Sequence, residues 1–213
     1  MKLYKFRPLA NEDDFNRAKK ILEEGCFWCS QFSELNDPME GVFYATYKAK
    51  IQDIYNAKVK YKICSFSTKT AFENPAMWGY YANGFMGIAI EIEINKNDVK
   101  KIKYSKDIPS IDGPPDDNKI REILTVKLPR WKHEKEYRFL KEIDYSEHYI
   151  GEITAVYFGN PYGNVNNQRM VTTNSENISK YNTFREQLIK VALSKKCCSV
   201  KIEGDKVMEE CTL

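Results

Sequence analysis

The sequence predicts an α+β fold, in which helices flank a mostly antiparallel, split sheet. Helix-type and strand-type segments follow one another without the regular alternation that marks parallel α/β folds, and no internal repeat is present. The 213 residues are 42% hydrophobic and 13% aromatic, which is enough apolar surface for one substantial core. We therefore predict a single domain over residues 1–213, with distinctive sequence blocks over 3–160 and a C-terminal helix and hairpin over 177–213.

Helical segments are marked by apolar periodicity and by residues that favour helix ends. The predicted helices cover residues 13–24, residues 42–57, a short segment from Pro75 to Asn83-Gly84, and residues 177–194. Asn11 or Asp13 can cap the first helix, and Gly25 can end it. The segment 42–57 has the weakest pattern of the four.

Strands are predicted from apolar and β-branched or aromatic runs. They cover residues 26–30, 60–67, 86–94, 134–143 and 152–160, and a closing hairpin turns at Gly204-Asp205. Residues 86–94 alternate apolar and acidic side chains at their end, which predicts one face toward water. Residues 105–118 contain three prolines and no periodicity, which is typical of a surface loop.

Charge and cysteine content narrow the possible environments. The 33 basic and 30 acidic residues give a net charge of +3, too balanced for bulk electrostatic binding of nucleic acid, although a local basic groove stays open. We expect a cytoplasmic protein with no membrane partner, because no long apolar run is present. In that compartment the six cysteines would be reduced. Cys26 and Cys29 form a CxxC on a predicted strand, which favours buried thiols over a zinc site.

Standard catalytic signatures are absent from the sequence. It contains no GxGxxG, no phosphate-binding GKT or GKS loop, no HExxH and no GxSxG. The sequence therefore lacks the main motifs of dinucleotide-binding Rossmann folds, P-loop enzymes and zincins. The remaining candidates are polar residues, scattered along the chain, whose presence is not explained by packing of the apolar core.

The first of these positions lie in the opening LYKFR segment. On a strand, Lys5 and Arg7 share one face while Tyr4 and Phe6 share the other. Two cations on one sheet face suit a phosphate or a carboxylate, and a solvated strand face is the alternative.

Two further positions combine turn-forming and polar residues. Asn36 and Asp37 precede a proline, so they either build a turn or present a side chain into a cleft. Ser65 and Ser67 lie on the same face of a predicted strand, where two hydroxyls can orient a polar ligand or serve as ordinary turn formers.

Aromatic and acidic side chains mark two later blocks. In MWGYYANGF, Trp78 and Tyr81 form either a core stripe or a stacking surface for a flat ligand such as a base or a nicotinamide ring. In WKHEKEYRF, a strand would place Glu134, Glu136 and Arg138 on one face. Two carboxylates beside a guanidinium can stabilise a cationic transition state, and an exposed charge ladder is the alternative.

These blocks together resemble domain of unknown function 2971, a bacterial and phage family. The similarity covers LYKFR, FWCSQFSELNDPMEG, SFS, MWGYYANGFMGIAIEIE, WKHEKEYRF and AVYFGN, in that order. The family usually has His where this chain has Tyr80.

The order of blocks is more distantly similar to ADP-ribosyltransferases, which hold NAD in the cleft of a split sheet. That resemblance implies that Lys5 and Arg7 bind the NAD phosphates. It implies support of the ribose or the catalytic glutamate by Ser65 and Ser67, and stacking of Tyr81 or Trp78 on nicotinamide. The remaining implied roles are catalysis by Glu136, orientation of the acceptor by Glu134, and cofactor contacts from Asn36 and Arg138.

The leading hypothesis is therefore an NAD-dependent ADP-ribosyltransferase-like protein that modifies a protein or nucleic acid in a toxin or phage-defence setting. One alternative is a non-catalytic module that binds a nucleotide or single-stranded nucleic acid through Arg7, Arg138 and the aromatics. The other is a nuclease with magnesium ligands, which would be Asp37, Glu40, Glu134 and Glu136.

Overall fold

The structure is a computed structural model of the chain and describes residues 1–37, 39–46, 49–142, 144–161 and 175–211. In chain order the helices and strands are β1 (Lys2–Pro8), α1 (Glu12–Glu24), β2 (Cys26–Trp28), β3 (Tyr44–Ala45), α2 (Ile51–Val59), β4 (Tyr61–Ser67), α3 (Lys69–Phe72), α4 (Pro75–Tyr81), β5 (Gly87–Glu93), β6 (Val99–Lys101), β7 (Lys103–Tyr104), β8 (Ser110–Ile111), α5 (Asp117–Ile123), β9 (Val126–Lys127), β10 (Glu136–Glu142), β11 (Glu147–Tyr149), β12 (Glu152–Phe158), α6 (Ser175–Val191), β13 (Lys196–Glu203) and β14 (Lys206–Glu210). Short 3-10 helices cover Phe32–Glu34, Lys96–Asp98 and Pro129–Glu134. The predicted mixture of helices with a mostly antiparallel sheet is confirmed. None of the described helices has the length and apolar character needed to cross a bilayer.

Two compact units make up the chain. Unit 1 consists of Met1–Cys26, Ser67–Ile94 and Gly151–Leu213, and unit 2 consists of Phe27–Phe66 and Asn95–Ile150. Each unit is assembled from segments that are far apart in sequence. This explains why no linker composition marks a boundary along the chain.

Unit 1 is built on the strand order β14-β13-β12-β5-β1. Its neighbouring strands are antiparallel except for β12 and β13, which are parallel. Parallel neighbours need a crossover connection, and α6 lies in the chain between these two strands. The predicted C-terminal helix and hairpin thus form part of the unit 1 sheet layer and its covering.

Helices cover both faces of the unit 1 sheet. On one face, Tyr4 and Phe6 pack against Phe72 of α3 and Trp78 of α4. On the other face lie α1 and α6, whose rings of Phe15 and Phe184 stack at 4.9 Å. This second face carries Lys5 and Arg7, which are both half-buried.

Local signals determine the ends of α1 as predicted. The side chain of Asn11 accepts a hydrogen bond from the Asp14 N–H at 2.9 Å, so Asn11 is the N-cap. Gly25 follows the helix with φ = 69°, the left-handed conformation that glycine adopts without a steric penalty.

Unit 2 contains the strand order β4-β10-β6, with β10 and β6 antiparallel. Short strand pairs surround these strands, namely β2 with β11, β3 with β8 and β7 with β9. Its apolar core includes Ile54, Tyr61, Ile63, Ile111, Ile120, Ile123, Leu124 and Leu140.

Three sequence predictions need correction. The segment 42–57 is not one helix, because Tyr44–Ala45 is a strand and the helix begins at Ile51. The expected loop 105–118 contains the strand Ser110–Ile111, which pairs with Tyr44–Ala45. The expected water-facing side of strand 86–94 is also wrong, because Glu91 is buried.

The closing hairpin is confirmed, and it brings two cysteines together. Ser199 pairs with Glu210 in the register of β13 and β14. Cys198 and Cys211, the next residues outward, form a disulfide. The expectation that all six cysteines are reduced is therefore wrong for this pair.

Candidate functional site

Five buried charged side chains meet in unit 2. We call them the charged cluster, which consists of Glu40, Lys127, Glu134, Glu136 and Arg138. None of the five residues is more than 9% exposed. Charged side chains are rarely buried without partners, so this concentration marks either a functional site or a costly structural device.

Arg138 is the most deeply buried member of the charged cluster. Its Nη1 and Nη2 donate to the two carboxylate oxygens of Glu40, and its Nε donates to Glu136 Oε1 at 2.6 Å. Nη1 also donates to the Leu124 carbonyl at 2.7 Å. All three nitrogen atoms of the guanidinium therefore have acceptors, and the Glu40 pair has the bidentate geometry of strong Arg–carboxylate interactions.

Lys127 joins the three carboxylates of the charged cluster. Its Nζ lies 2.7 Å from Glu136 Oε2, 2.8 Å from Glu134 Oε2 and 3.4 Å from Glu40 Oε1. The ring of Trp131 lies 5.5 Å from the same ammonium, within cation–π range. The ammonium thus occupies the space between the carboxylates.

Local backbone geometry brings Glu134 and Glu136 to the same lysine. Glu136 and Arg138 share a face of β10 by simple alternation, as predicted. Glu134, in contrast, ends the 3-10 helix Pro129–Glu134, and Lys135 then reverses the chain with φ = 45°. The prediction that one strand would carry all three side chains is therefore wrong, although all three do meet in the charged cluster.

Sequence reasoning did not place Lys127 in the site. Lys127 ends the two-residue strand β9, which pairs with Lys103 and Tyr104 of β7. Such a short strand has no readable periodicity. A lysine close to the EKEYR block was the only available signal.

The opposite charges within the cluster shift the pKa values of Glu136 and Lys127. Burial alone would raise the pKa of Glu136, but the positive charges of Arg138 and Lys127 outweigh burial and hold that pKa well below 4.5. Burial opposes the charge of Lys127 too, and the carboxylates, Glu136 first, raise its pKa above the ordinary value. With three carboxylates and two cations, the cluster carries a formal net charge of −1.

The other predicted residues of unit 2 lie in different environments. Asn36 is exposed. Asp37 is buried, and its Oδ1 accepts from the Met39 N–H at 3.0 Å, so it builds the turn that leads to Glu40. Its Oδ2 is buried and accepts no hydrogen bond from the described residues. Pro38 lies outside the described residues, and Ser65 is half-buried.

The predicted residues of unit 1 divide into core and surface. Trp78 is 0% exposed, packs on Phe6 and Phe72, and donates its Nε1–H to the Phe72 carbonyl. It therefore has no surface for a ligand, and stacking on nicotinamide would depend on the half-buried Tyr81. Ser67 is buried and pairs in register with Tyr4.

Unit 1 also contains a buried carboxylate, that of Glu91. Glu91 accepts hydrogen bonds from Lys2 Nζ, Thr154 Oγ1, Tyr4 Oη and Tyr157 Oη at 2.7–3.1 Å. We call these five residues the Glu91 network. Burial would raise the pKa of Glu91, but the hydrogen bonds, from Lys2 first, and the charge of Lys2 lower it to about 2.

A lysine lies between three of the carboxylates that were predicted as alternative magnesium ligands. Among the described residues, the group of potential metal ligands that lie close enough to share an ion is Cys198, Glu209 and Cys211. Two of these three residues form the disulfide. In unit 2, the Lys127 ammonium lies where a shared cation would be needed. The arrangement gives no support to a magnesium-dependent nuclease.

Comparisons of the chain with protein-family models, with curated proteins and with solved structures return no match. The resemblance in sequence blocks therefore stays a prediction, and function has to be argued from the site itself.

Proposed function

We propose that the chain is an NAD-dependent ADP-ribosyltransferase in which Glu136 faces the nicotinamide ribose. The observation that carries this proposal is the unbalanced charge of the charged cluster. Its three carboxylates exceed its two cations by one, so the cluster favours an additional positive charge beside it. In bound NAD the positive charge lies on the nicotinamide ring, and in the transition state it moves onto the oxocarbenium-like ribose that Glu136 faces.

The chemistry needs a carboxylate that stays ionised. When the bond between ribose C1′ and the nicotinamide nitrogen breaks, the bonding electron pair leaves with nicotinamide, and positive charge develops on C1′ and the ring oxygen. A nucleophile of the acceptor then bonds to C1′ and loses its proton to water or a base. A glutamate whose pKa is held well below 4.5 keeps its negative charge throughout this sequence.

The strand register does not bring Ser67 and Arg7 to one face of the sheet. In unit 1, Ser67 at the end of β4 pairs with Tyr4 of β1, the strand that carries Arg7. In unit 2, β4 neighbours β10, the strand that carries Glu136. Because Tyr4 and Arg7 project from opposite faces of β1, Ser67 projects from the face opposite Arg7, and the proposal rests on Glu136 and the charged cluster.

Access to Glu136 requires a rearrangement of the charged cluster. Glu136 is 3% exposed, and Glu40 reaches the cluster from the turn that follows Asp37. Release of Glu40 from Arg138 would open the cluster without disturbing the strand that carries Glu136. The proposal therefore includes displacement of this turn when NAD binds.

Substitution of Glu136 by Gln tests the proposal. We expect NAD cleavage and transfer of labelled ADP-ribose to protein or nucleic acid acceptors to fall at least about 100-fold, because the compensating charge is lost. Glu142→Gln is the matched control, since Glu142 is an exposed residue of the same strand. Thermal unfolding of both variants, and of Glu40→Gln as a second cluster variant, separates loss of chemistry from loss of fold. Unchanged NAD cleavage by a folded Glu136→Gln protein would remove Glu136 from the reaction.

The burial of the charged cluster favours one second candidate, a binding module without catalysis. Every nitrogen atom of Arg138 has an acceptor inside the protein, so the cluster can serve as a structural support for a neighbouring binding surface. In that case we expect no NAD turnover by the wild-type protein, together with binding of nucleotides or single-stranded nucleic acid that weakens as salt is added.

A further inference from the structure

Arg185 is a half-buried cation of unit 1. It lies on α6, and no carboxylate pairs with it within the described residues. Its Nη2 donates to Ser199 Oγ at 2.7 Å. Its Nε is buried and has no hydrogen-bond partner among the residues that the structure describes. A shielded donor without an acceptor is costly, and an anion beside the guanidinium would satisfy it.

The register of the unit 1 sheet relates Arg185 to Arg7. Arg7 pairs with Ile88, Ile88 with Phe158, and Phe158 with Ser199. We call these four residues the Arg7 row. Because paired residues project from the same face of a sheet, the Arg7 side chain and the Ser199 hydroxyl lie on one face.

Arg185 approaches the Arg7 row from the helix above it. Its guanidinium lies 5.9 Å from the ring centroid of Phe158, next to its hydrogen bond with Ser199. Phe158 and Arg7 are two strands apart, about 10 Å between Cα atoms. Two arginine side chains at that separation can reach neighbouring phosphates of one ligand. Arg7 also has interactions within the protein, so the site depends first on Arg185.

The connection between β12 and β13 explains where Arg185 lies on the sheet. These are the parallel neighbours of the unit 1 sheet, and α6 crosses between them. Phe158 is the last residue of β12, so Arg185 lies over the carboxyl end of this strand.

We propose that Arg185, Ser199 and Arg7 form a binding site for the phosphate groups of a nucleotide. Arginine suits this task because its planar donors match phosphate oxygens and its charge does not titrate in the physiological range. The site does not depend on Glu136 or on NAD cleavage. A protein without transferase activity could therefore still have it.

Calorimetric titration of the full chain with ADP, orthophosphate and adenosine tests this site. We expect ADP to bind more tightly than orthophosphate and adenosine to bind much more weakly than ADP. Arg185→Met keeps the apolar stem over Phe158 and removes the guanidinium, and it should weaken ADP binding at least about tenfold. Lys190→Met is the control for loss of one positive charge from the same helix, and it should change ADP affinity less than twofold.

Two results would overturn the site. One is equal ADP affinity of folded Arg185→Met and wild type. The other is adenosine binding as tightly as ADP, since the phosphates would then contribute nothing. NAD cleavage by the wild-type protein tests the transferase assignment, whereas ADP binding by Arg185→Met tests the phosphate site, so the two failures give different results.

Discussion

Both units bury an ionised glutamate, but they compensate for its charge in different ways. Glu91 in unit 1 receives four hydrogen bonds, of which only the one from Lys2 comes from a cation. Glu136 in unit 2 contacts two cations, Arg138 and Lys127, which it shares with further carboxylates. Neutral donors dominate the Glu91 network, whereas opposite charges dominate the charged cluster.

This difference predicts how each region responds when one member is removed. Loss of a hydroxyl from the Glu91 network leaves a carboxylate that still has other donors. Loss of a cation from the charged cluster leaves several buried negative charges with too little compensation. A buried ion pair adds little net stability, but breaking it by removal of one partner is expensive. The charged cluster should therefore be the more fragile region.

The largest expected effect follows from Arg138→Met. The variant leaves Glu40 and Glu136 buried with Lys127 as their shared cation, and we expect it to lower the free energy of unfolding by about 3–5 kcal/mol. Urea denaturation followed by circular dichroism measures this change. Lys119→Met removes a cation from an exposed pair with Glu122, which should cost less than about 1 kcal/mol. Similar costs for the two variants would show that the charged cluster is no more fragile than a surface pair.

A smaller effect is expected from Glu91→Gln. The glutamine cannot accept as many hydrogen bonds from Tyr4, Tyr157 and Thr154, and it loses the charge that pairs with Lys2, so we expect a cost of roughly 2–3 kcal/mol near pH 7. Because the pKa of folded Glu91 is lowered from 4.5 to about 2, its contribution is present above pH 4.5 and is lost as the pH falls toward 2.

Acid titration of stability checks this second prediction. Between pH 4.5 and pH 2, the wild-type protein should lose stability more steeply than Glu91→Gln. Glu93→Gln changes the exposed glutamate two residues along the same strand and should follow the wild-type curve. Parallel curves for wild type and Glu91→Gln would mean that the network does not hold Glu91 ionised.

Local signals explain which parts of this molecule could be predicted from sequence. Asn11 and Gly25 act on neighbouring backbone, so the ends of α1 were readable. The strand Tyr44–Ala45 depends on Ser110–Ile111, more than 60 residues later, and no local pattern at residues 42–57 reports that partner.

Glu91 was missed and Glu134 was misplaced for a similar reason. Alternation along β5 predicts that Glu91 faces solvent. This prediction fails because the hydroxyl groups that bind Glu91 come from the neighbouring strands β1 and β12, which the β5 sequence does not reveal. Alternation does relate Glu136 to Arg138, but the left-handed turn at Lys135 determines where Glu134 points. Residue types in the sequence indicated which side chains could take part in a charged site. Only the tertiary structure shows which of them contact one another.

Lys58 is a buried cation of unit 2 outside the charged cluster, and its charge is compensated for in a different way from that of Lys127. No carboxylate pairs with it in the described part of the chain. Its Nζ donates to the Gly41 carbonyl at 2.7 Å and lies 3.9 Å from the ring centroid of Phe32. Burial without a counter-charge lowers its pKa to about 8, opposite to the shift of Lys127.

The smallest effect is expected from Lys58→Met. It is a pH-dependent difference in the free energy of unfolding between the wild type and the variant. Below pH 8 the folded protein carries the cost of a charged, buried Lys58. Between pH 8 and 10.5 folded Lys58 binds fewer protons than the unfolded chain, so the stability of the wild type rises with pH relative to the variant. We expect this difference to change by roughly 1–2 kcal/mol between pH 7 and 10. Urea denaturation at several pH values measures it, with Lys60→Met as the exposed control. A constant difference between wild type and Lys58→Met would mean that the Gly41 carbonyl and the Phe32 ring compensate for the charge of Lys58 as fully as the carboxylates compensate for Lys127.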